Sequence, residues 1–179
     1  GDVYKRQILV EGGLESYHFK VAHRKTIGPY FEDNLSSYQM LGDHMRSVLM
    51  RSSMHTLKDL PPSQWRLRDH ANIIYTFFPT TQLLVQQDHI VWINSRPISA
   101  TETELRLVTL APITRLEDDE YWDKNHRITS NTLNEDFVIG ESIQAGLATG
   151  ANEHMTFGRF EGALPEFNRV VKRYTSAQA

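Results

Sequence analysis

A chain of 179 residues with 40% hydrophobic content is long enough for one domain with a sizeable buried core. Its formal net charge of −3 and the absence of a basic cluster interleaved with aromatic residues argue against nucleic acid as a partner. No apolar run approaches a membrane span, no secretory signal opens the chain, and zero cysteines exclude disulfides, thiolate-held zinc and cysteine nucleophiles within it. The expectation is a soluble, cytoplasmic protein whose metal, if it holds one, is bound by His, Asp and Glu.

The first seven residues, GDVYKRQ, share no pattern with the segment beginning at Ile8 and resemble the translation of a sequencing-library adapter. The expectation is that residues 1–7 are foreign and that the natural chain continues upstream of Ile8. Residues 8–24 read as a helix, with Ile8, Leu9, Leu14, Tyr17, Val21 and Ala22 near one stripe, weakened by Gly12-Gly13 and ended by Gly28-Pro29. Residues 35–60 are polar and Met-rich with no clear period, which suggests a mobile excursion, a lid over a pocket. From 66 to 112 the period changes to two, predicting an antiparallel meander of three or four strands; in its last strand Leu105, Leu107 and Thr109 share the half-buried face.

Helical spacing returns over 119–149 through Trp122, Ile128, Leu133, Phe137, Ile139, Ile143 and Leu147, and a last helix begins with Pro165 in its first turn. The order predicts an α+β domain with helices packed on one face of an antiparallel sheet. No internal repeat or low-complexity segment is present.

Chemistry concentrates in VEGGLESYHFKVAHRKT, residues 10–26, which carries Glu15, Tyr17, His18 and His23 as E-x-Y-H-x-x-x-x-H. Five residues of ideal helix turn about 500°, so His18 and His23 would point roughly 140° apart. Convergence on one metal therefore requires a π-bulge or a helix that loosens after Ala22. Alone, the pair reads more simply as two exposed or core-satisfied imidazoles. A second motif, NEDFVIGESIQAGLATG at 134–150, adds Asp136 with Glu141, Gln144 and Gly146-Leu147 behind it.

The two motifs together resemble the catalytic domain of the α subunits of Rieske-type non-heme iron ring-hydroxylating oxygenases, nearest the choline and carnitine monooxygenase-like branch, in which E-D-x-x-x-x-E-x-x-Q-x-G-L recurs. The resemblance extends from about Ile8 to Tyr174 and includes GRFEG at 158–162. It implies a helix-grip fold of the START and Bet v 1 type and a mononuclear Fe(II) held by His18, His23 and Asp136. Such a 2-His-1-carboxylate set leaves open positions for O₂ chemistry beside an organic substrate. Glu15 falls where the family places a carboxylate that orients the first histidine and bridges electrons to the cluster of a neighbouring subunit. Glu135 is the rival to Asp136 by one residue, and Glu141 and Gln144 read as supporting or packing groups. His44, His55, His70, His89, His126 and His154 carry no motif and read as surface or satisfied core residues.

The family's [2Fe–2S] cluster needs two Cys and two His, and this chain has no cysteine, so the cluster domain is expected upstream of Ile8. The resemblance further implies a reductase or ferredoxin as electron donor drawing on NAD(P)H, an aromatic or methylated-amine substrate, mono- or dioxygenation, and a homotrimer of the full-length protein. Two other classes compete: a non-catalytic pocket for hydrophobic ligands on the same fold, and a zinc hydrolase, which lacks any H-E-x-x-H pattern here.

Overall fold

The computed structural model describes residues 4–99, 101–151 and 154–176. Six strands run in chain order across one sheet, β1 (Ser37–Leu41), β2 (His44–Met50), β3 (Ala71–Phe77), β4 (Thr81–Val85), β5 (Ile90–Pro97) and β6 (Thr103–Leu110), every neighbouring pair antiparallel. Four helices complete the domain: α1 (Tyr4–Gly12), α2 (Phe19–Ala22), α3 (Asp119–Ala148) and α4 (Ala163–Ser176). The α+β reading with helices on one face of an antiparallel sheet holds. The expected foreign segment falls partly outside the described residues, at 1–3, and partly within α1.

Pairing register fixes which side chains face the helices. Met45 lies opposite Thr76, Ile74 opposite Leu84, Leu84 opposite Val91, and Val91 opposite Thr109, so these positions share the inner face. Along β6, Leu105, Leu107 and Thr109 are half-buried and alternate with exposed Arg106, Val108 and Leu110, as the period of two requires. The meander predicted over 66–112 is β3 to β6.

Two expectations fail. The stretch 35–60 contains β1 and β2, joined by a tight turn in which Gly42 takes φ of 68°, a region where a Cβ is disfavoured. Its alternation is masked because Ser47 occupies an inner position between Met45 and Leu49; the hydroxyl is buried and donates to the Leu14 carbonyl at 3.3 Å, so no apolar residue is needed there. Beyond β2 the chain crosses to β3 through short 3₁₀ turns at Ser52–Asp59, Pro62–Gln64 and Leu67–His70. The single helix expected over 8–24 is instead two helices, α1 ending at Gly12 and α2 of four residues, separated by a turn that carries Glu15.

Two buried clusters hold the helices to the sheet. Val10 and Leu14 join Met45 of β2 and Ala163, Leu164 and Phe167 of α4; Phe19 of α2 joins Phe31, Leu49 and Ile74. Burying each such large side chain contributes about 1.5–3 kcal/mol. Helix α3 crosses the inner face with Asn125, Thr129, Thr132 and Asp136 at helical spacing. Between it and the sheet lies a cavity of about 590 Å³. Of the apolar stripe expected on α3, Trp122 is buried, whereas Ile128, Ile139 and Ile143 are 40% exposed or more.

Candidate metal centre

His18 and His23 bracket α2, and the shortness of that helix brings them together. His18 precedes the first turn with its carbonyl accepting from the amides of Val21 and Ala22, and His23 closes the turn at φ −105°, ψ 25°, outside helical geometry. The helix thus stops after Ala22 and the ring centroids lie 5.2 Å apart. Gly28 makes this stop possible, because a Cβ there would sit 2.7 Å from the Phe19 carbonyl oxygen and 2.8 Å from that of His23. Its own N–H donates to the His23 carbonyl at 2.9 Å.

Each imidazole is held through Nδ1 by a carboxylate. Glu15, itself buried, places Oε1 2.5 Å from His18 Nδ1 while Oε2 accepts from the Tyr17 and His18 amides. Glu135 Oε2 lies 2.7 Å from His23 Nδ1 and accepts from Thr26 Oγ1 at 2.8 Å. Both Nε2 atoms are buried without a hydrogen-bond partner. Asp136 Oδ1 approaches them, 3.0 Å from His23 Nε2 and 3.7 Å from His18 Nε2, without hydrogen-bond geometry to either. One donor atom from each of the three residues lies within 4.8 Å of the others, a spacing that one metal ion can close.

The electrostatics reflect this crowding. Burial disfavours the His23 imidazolium, but Asp136 and Glu135 together outweigh it and hold the pKa above the ordinary histidine value. Burial likewise opposes charge on Glu135, and the hydrogen bonds from His23 and Thr26 prevail, lowering its pKa. Carboxylates and two imidazoles with orphaned nitrogens form a site of net negative charge when the histidines are neutral. That donor set suits a divalent cation of borderline or hard character.

The structure gives other motif residues different places. Glu135, the one-residue rival, points at Nδ1 of His23 and stands behind the donor triad. Gln144 has a buried Oε1 without a partner, two helical turns beyond Asp136, and Glu141 is exposed. Phe160 of GRFEG meets the Tyr17 ring at 5.9 Å, tying that segment to the first motif. His89 is buried on Asp88 and Gln86, and His126 Nδ1 lies 3.0 Å from Thr109 Oγ1; His44, His55 and His154 are exposed. Thr26, Gly28 and the role of Glu135 were not legible in the sequence, where only the Gly28-Pro29 helix stop gave a signal.

The chain thus presents a six-stranded antiparallel sheet with a His-His-Asp group beside a cavity. The family model for the ring hydroxylating alpha subunit (catalytic domain) matches residues 8–177, and this chain belongs to that family. Among solved structures, the quaternary ammonium Rieske monooxygenase CntA in complex with an inhibitor is 18% identical with a TM-score of 0.68, covering 94% of this chain and 45% of that one. CntA in complex with γ-butyrobetaine is 16% identical, TM-score 0.59, over 96% and 44%. Dicamba monooxygenase bound to 3,6-dichlorosalicylic acid is 11% identical, TM-score 0.68, over 96% and 56%. The chain spans about half the length of these relatives. No curated protein matches it. No helix among the described residues is long and apolar enough to cross a membrane.

Proposed function

We propose that this chain is the mononuclear-iron catalytic domain of a Rieske-type oxygenase that hydroxylates a small organic substrate, with His18, His23 and Asp136 as the iron ligands. The observation that carries the reading is the pair of buried Nε2 atoms left without partners while both Nδ1 atoms are engaged by carboxylates. An unsatisfied buried nitrogen costs about 1–3 kcal/mol, and two facing one carboxylate are accounted for by a cation. Bound there, Fe(II) supplies the O₂ activation that hydroxylation requires.

The chain's own groups prepare that site. Glu15 and Glu135 accept the Nδ1 protons, which fixes both rings in the tautomer whose Nε2 lone pair faces Asp136. Asp136 contributes the single negative charge of the ligand set. The cavity holds the substrate beside the ligands and keeps bulk water from them. Glu15 is proposed as the link to a [2Fe–2S] cluster on a neighbouring subunit, as its position in the first motif supports. On this reading residues 8–179 are the catalytic domain, a reductase or ferredoxin supplies electrons from NAD(P)H to an upstream cluster domain, and the full-length protein is a cytoplasmic homotrimer acting on an aromatic or methylated-amine substrate.

The test is metal content after anaerobic reconstitution with Fe(II). One equivalent is expected in the wild-type chain and a marked loss in each of His18→Ala, His23→Ala and Asp136→Ala. Equal iron in all four proteins would leave the fold as a binder of hydrophobic ligands.

A further inference from the structure

The cavity is not uniformly apolar. Among the described residues that line it, Asp136 is the only carboxylate and Arg51 the only arginine or lysine. Arg51 follows the last residue of β2, and its parity with Met45, Ser47 and Leu49 directs it to the inner face. Its guanidinium carbon lies 5.6 Å from the centroid of the Phe31 ring, and it makes no ion pair with a carboxylate among the described residues. Arg51 is partly exposed, so water reaches its guanidinium, but no carboxylate among the described residues neutralises it.

A buried polar atom without a partner lies close to it in the sheet register. Asn72 is 4% exposed, lines the same cavity, and its Oδ1 is buried with no hydrogen-bond partner. Asn72 pairs with Leu49 in the register, and the Arg51 amide donates to the carbonyl of His70, so the two side chains are near neighbours on the inner face. A primary amide presents either its oxygen or its NH₂ group to a ligand according to how it is turned. From Arg51 a run of ring contacts leads to the metal ligands: Phe31 to Phe19 at 5.3 Å, and Phe19 to His23 at 5.4 Å.

We propose that Arg51 and Asn72 form an anion-binding end of the cavity, which takes a small organic carboxylate whose apolar body lies along Phe31 and Phe19 toward His23. The carboxylate accepts from the guanidinium fork and, with the Asn72 amide turned so that its NH₂ group rather than Oδ1 faces the cavity, from Asn72 as well. A quaternary ammonium group is disfavoured at this end, since the guanidinium already occupies a face of Phe31 and repels a second cation. The inference rests on the oxygenase reading only in making this ligand the substrate.

Calorimetric titration of the Fe(II)-loaded chain under anaerobic conditions, with 3-phenylpropionate, 3-phenylpropionamide and phenethyltrimethylammonium, tests it. The carboxylate is expected to bind at least about 10-fold more tightly than the amide, and the ammonium most weakly. Arg51→Gln should erase the difference between acid and amide while leaving iron content unchanged. Asn72→Asp, close in shape, should do the same by supplying Arg51 with a fixed counter-ion. Preference for the amide or the ammonium, or no binding of the acid at millimolar concentration, overturns the proposal. So does an acid preference that survives Arg51→Gln, which would put the carboxylate on the metal instead. An Arg51-dependent preference in a chain that takes up no iron would keep the anion site and remove the oxygenase reading.

Discussion

Two buried histidines, His23 beside α2 and His89 between β4 and β5, begin from the same arrangement and end differently. His23 is 1% exposed with Nδ1 on Glu135; His89 is 5% exposed with Nδ1 2.8 Å from Asp88 Oδ1. The distinction lies in the second nitrogen. His89 Nε2 meets the side-chain amide of Gln86 at 3.0 Å, whereas His23 Nε2 faces the Asp136 carboxylate and the orphaned Nε2 of His18. A histidine satisfied at both nitrogens is a fastener, here holding the corner where Tyr121 and Arg115 also reach Asp88 and where Trp122 packs edge-on to the His89 ring at 5.7 Å. One satisfied at a single nitrogen keeps a buried ring atom that, on the proposed reading, binds a cation. A carboxylate–histidine pair by itself therefore does not separate the two corners; the partner of the second nitrogen does.

The largest expected effect separates the two corners outright. His23→Ala should abolish stoichiometric Fe(II) binding, a loss beyond the roughly 10–100-fold typical of removing an outer partner. His89→Ala should leave iron content intact and lower stability by about 1–3 kcal/mol, because Asp88 and Gln86 lose a buried partner. Metal analysis and urea unfolding of the two variants side by side check this, and iron loss in His89→Ala would erase the distinction.

Gly28→Ala comes next and reaches His23 through the backbone. The new Cβ would collide with the carbonyls of Phe19 and His23, which are main-chain atoms and cannot rotate aside. The expected outcome is a destabilisation of about 1–3 kcal/mol together with weakened iron binding. Gly13→Ala provides the contrast: its Cβ would meet only the end of the Gln82 side chain. That variant should keep its iron, and identical behaviour of the two would refute the backbone argument.

A smaller effect tests the supporting carboxylates. Glu135→Gln retains the shape but removes the charge that orients His23, and should weaken Fe(II) binding about 10–100-fold. Asp88→Asn makes the equivalent change at His89 and should leave metal affinity unaltered. Anaerobic titration with a competing chelator distinguishes the outcomes.

The sequence discloses these regions unequally for physical reasons. The β3 to β6 meander and α3 were legible because inner and outer residues alternate cleanly, as in Leu105 to Leu110, or because Trp122 and its helical neighbours repeat over many turns. Strands β1 and β2 were not, since Ser47 replaces an apolar inner residue and finds its partner in Leu14, 33 residues away. The break between α1 and α2 was hidden because apolar spacing runs on through Gly12-Gly13. His18, His23 and Asp136 drew notice through their motifs. Glu135 drew notice only as a rival ligand, and Thr26, Arg51 and Asn72 not at all, because their meaning arises only where turns and register bring distant segments together; once β2 was unrecognised, nothing could pair Leu49 with Asn72.

The finest distinction is in pH dependence. His23 is raised above its ordinary value of 6.5 in the folded metal-free chain, so the proton it holds stabilises the fold. That contribution is fully present below the unfolded value and disappears as pH rises through the higher folded value. Metal reverses the sign: Fe(II) needs the neutral imidazole, so the stabilisation due to iron should grow as pH climbs through the same window. On the acid side the corners behave alike. Glu135 and Asp88 are both lowered, burial opposing the charge in each and being outweighed by His23 and Thr26 for the first and by Tyr121 and His89 for the second. Their contributions are present above the ordinary carboxylate values and are lost as pH falls through the folded ones. Thermal melts of the metal-free and Fe(II)-loaded chain from about pH 6 to about 8.5 should therefore diverge with rising pH, the gap widening by a few degrees. His23→Gln should flatten the metal-free curve, and parallel curves would mean that His23 binds no proton that iron displaces.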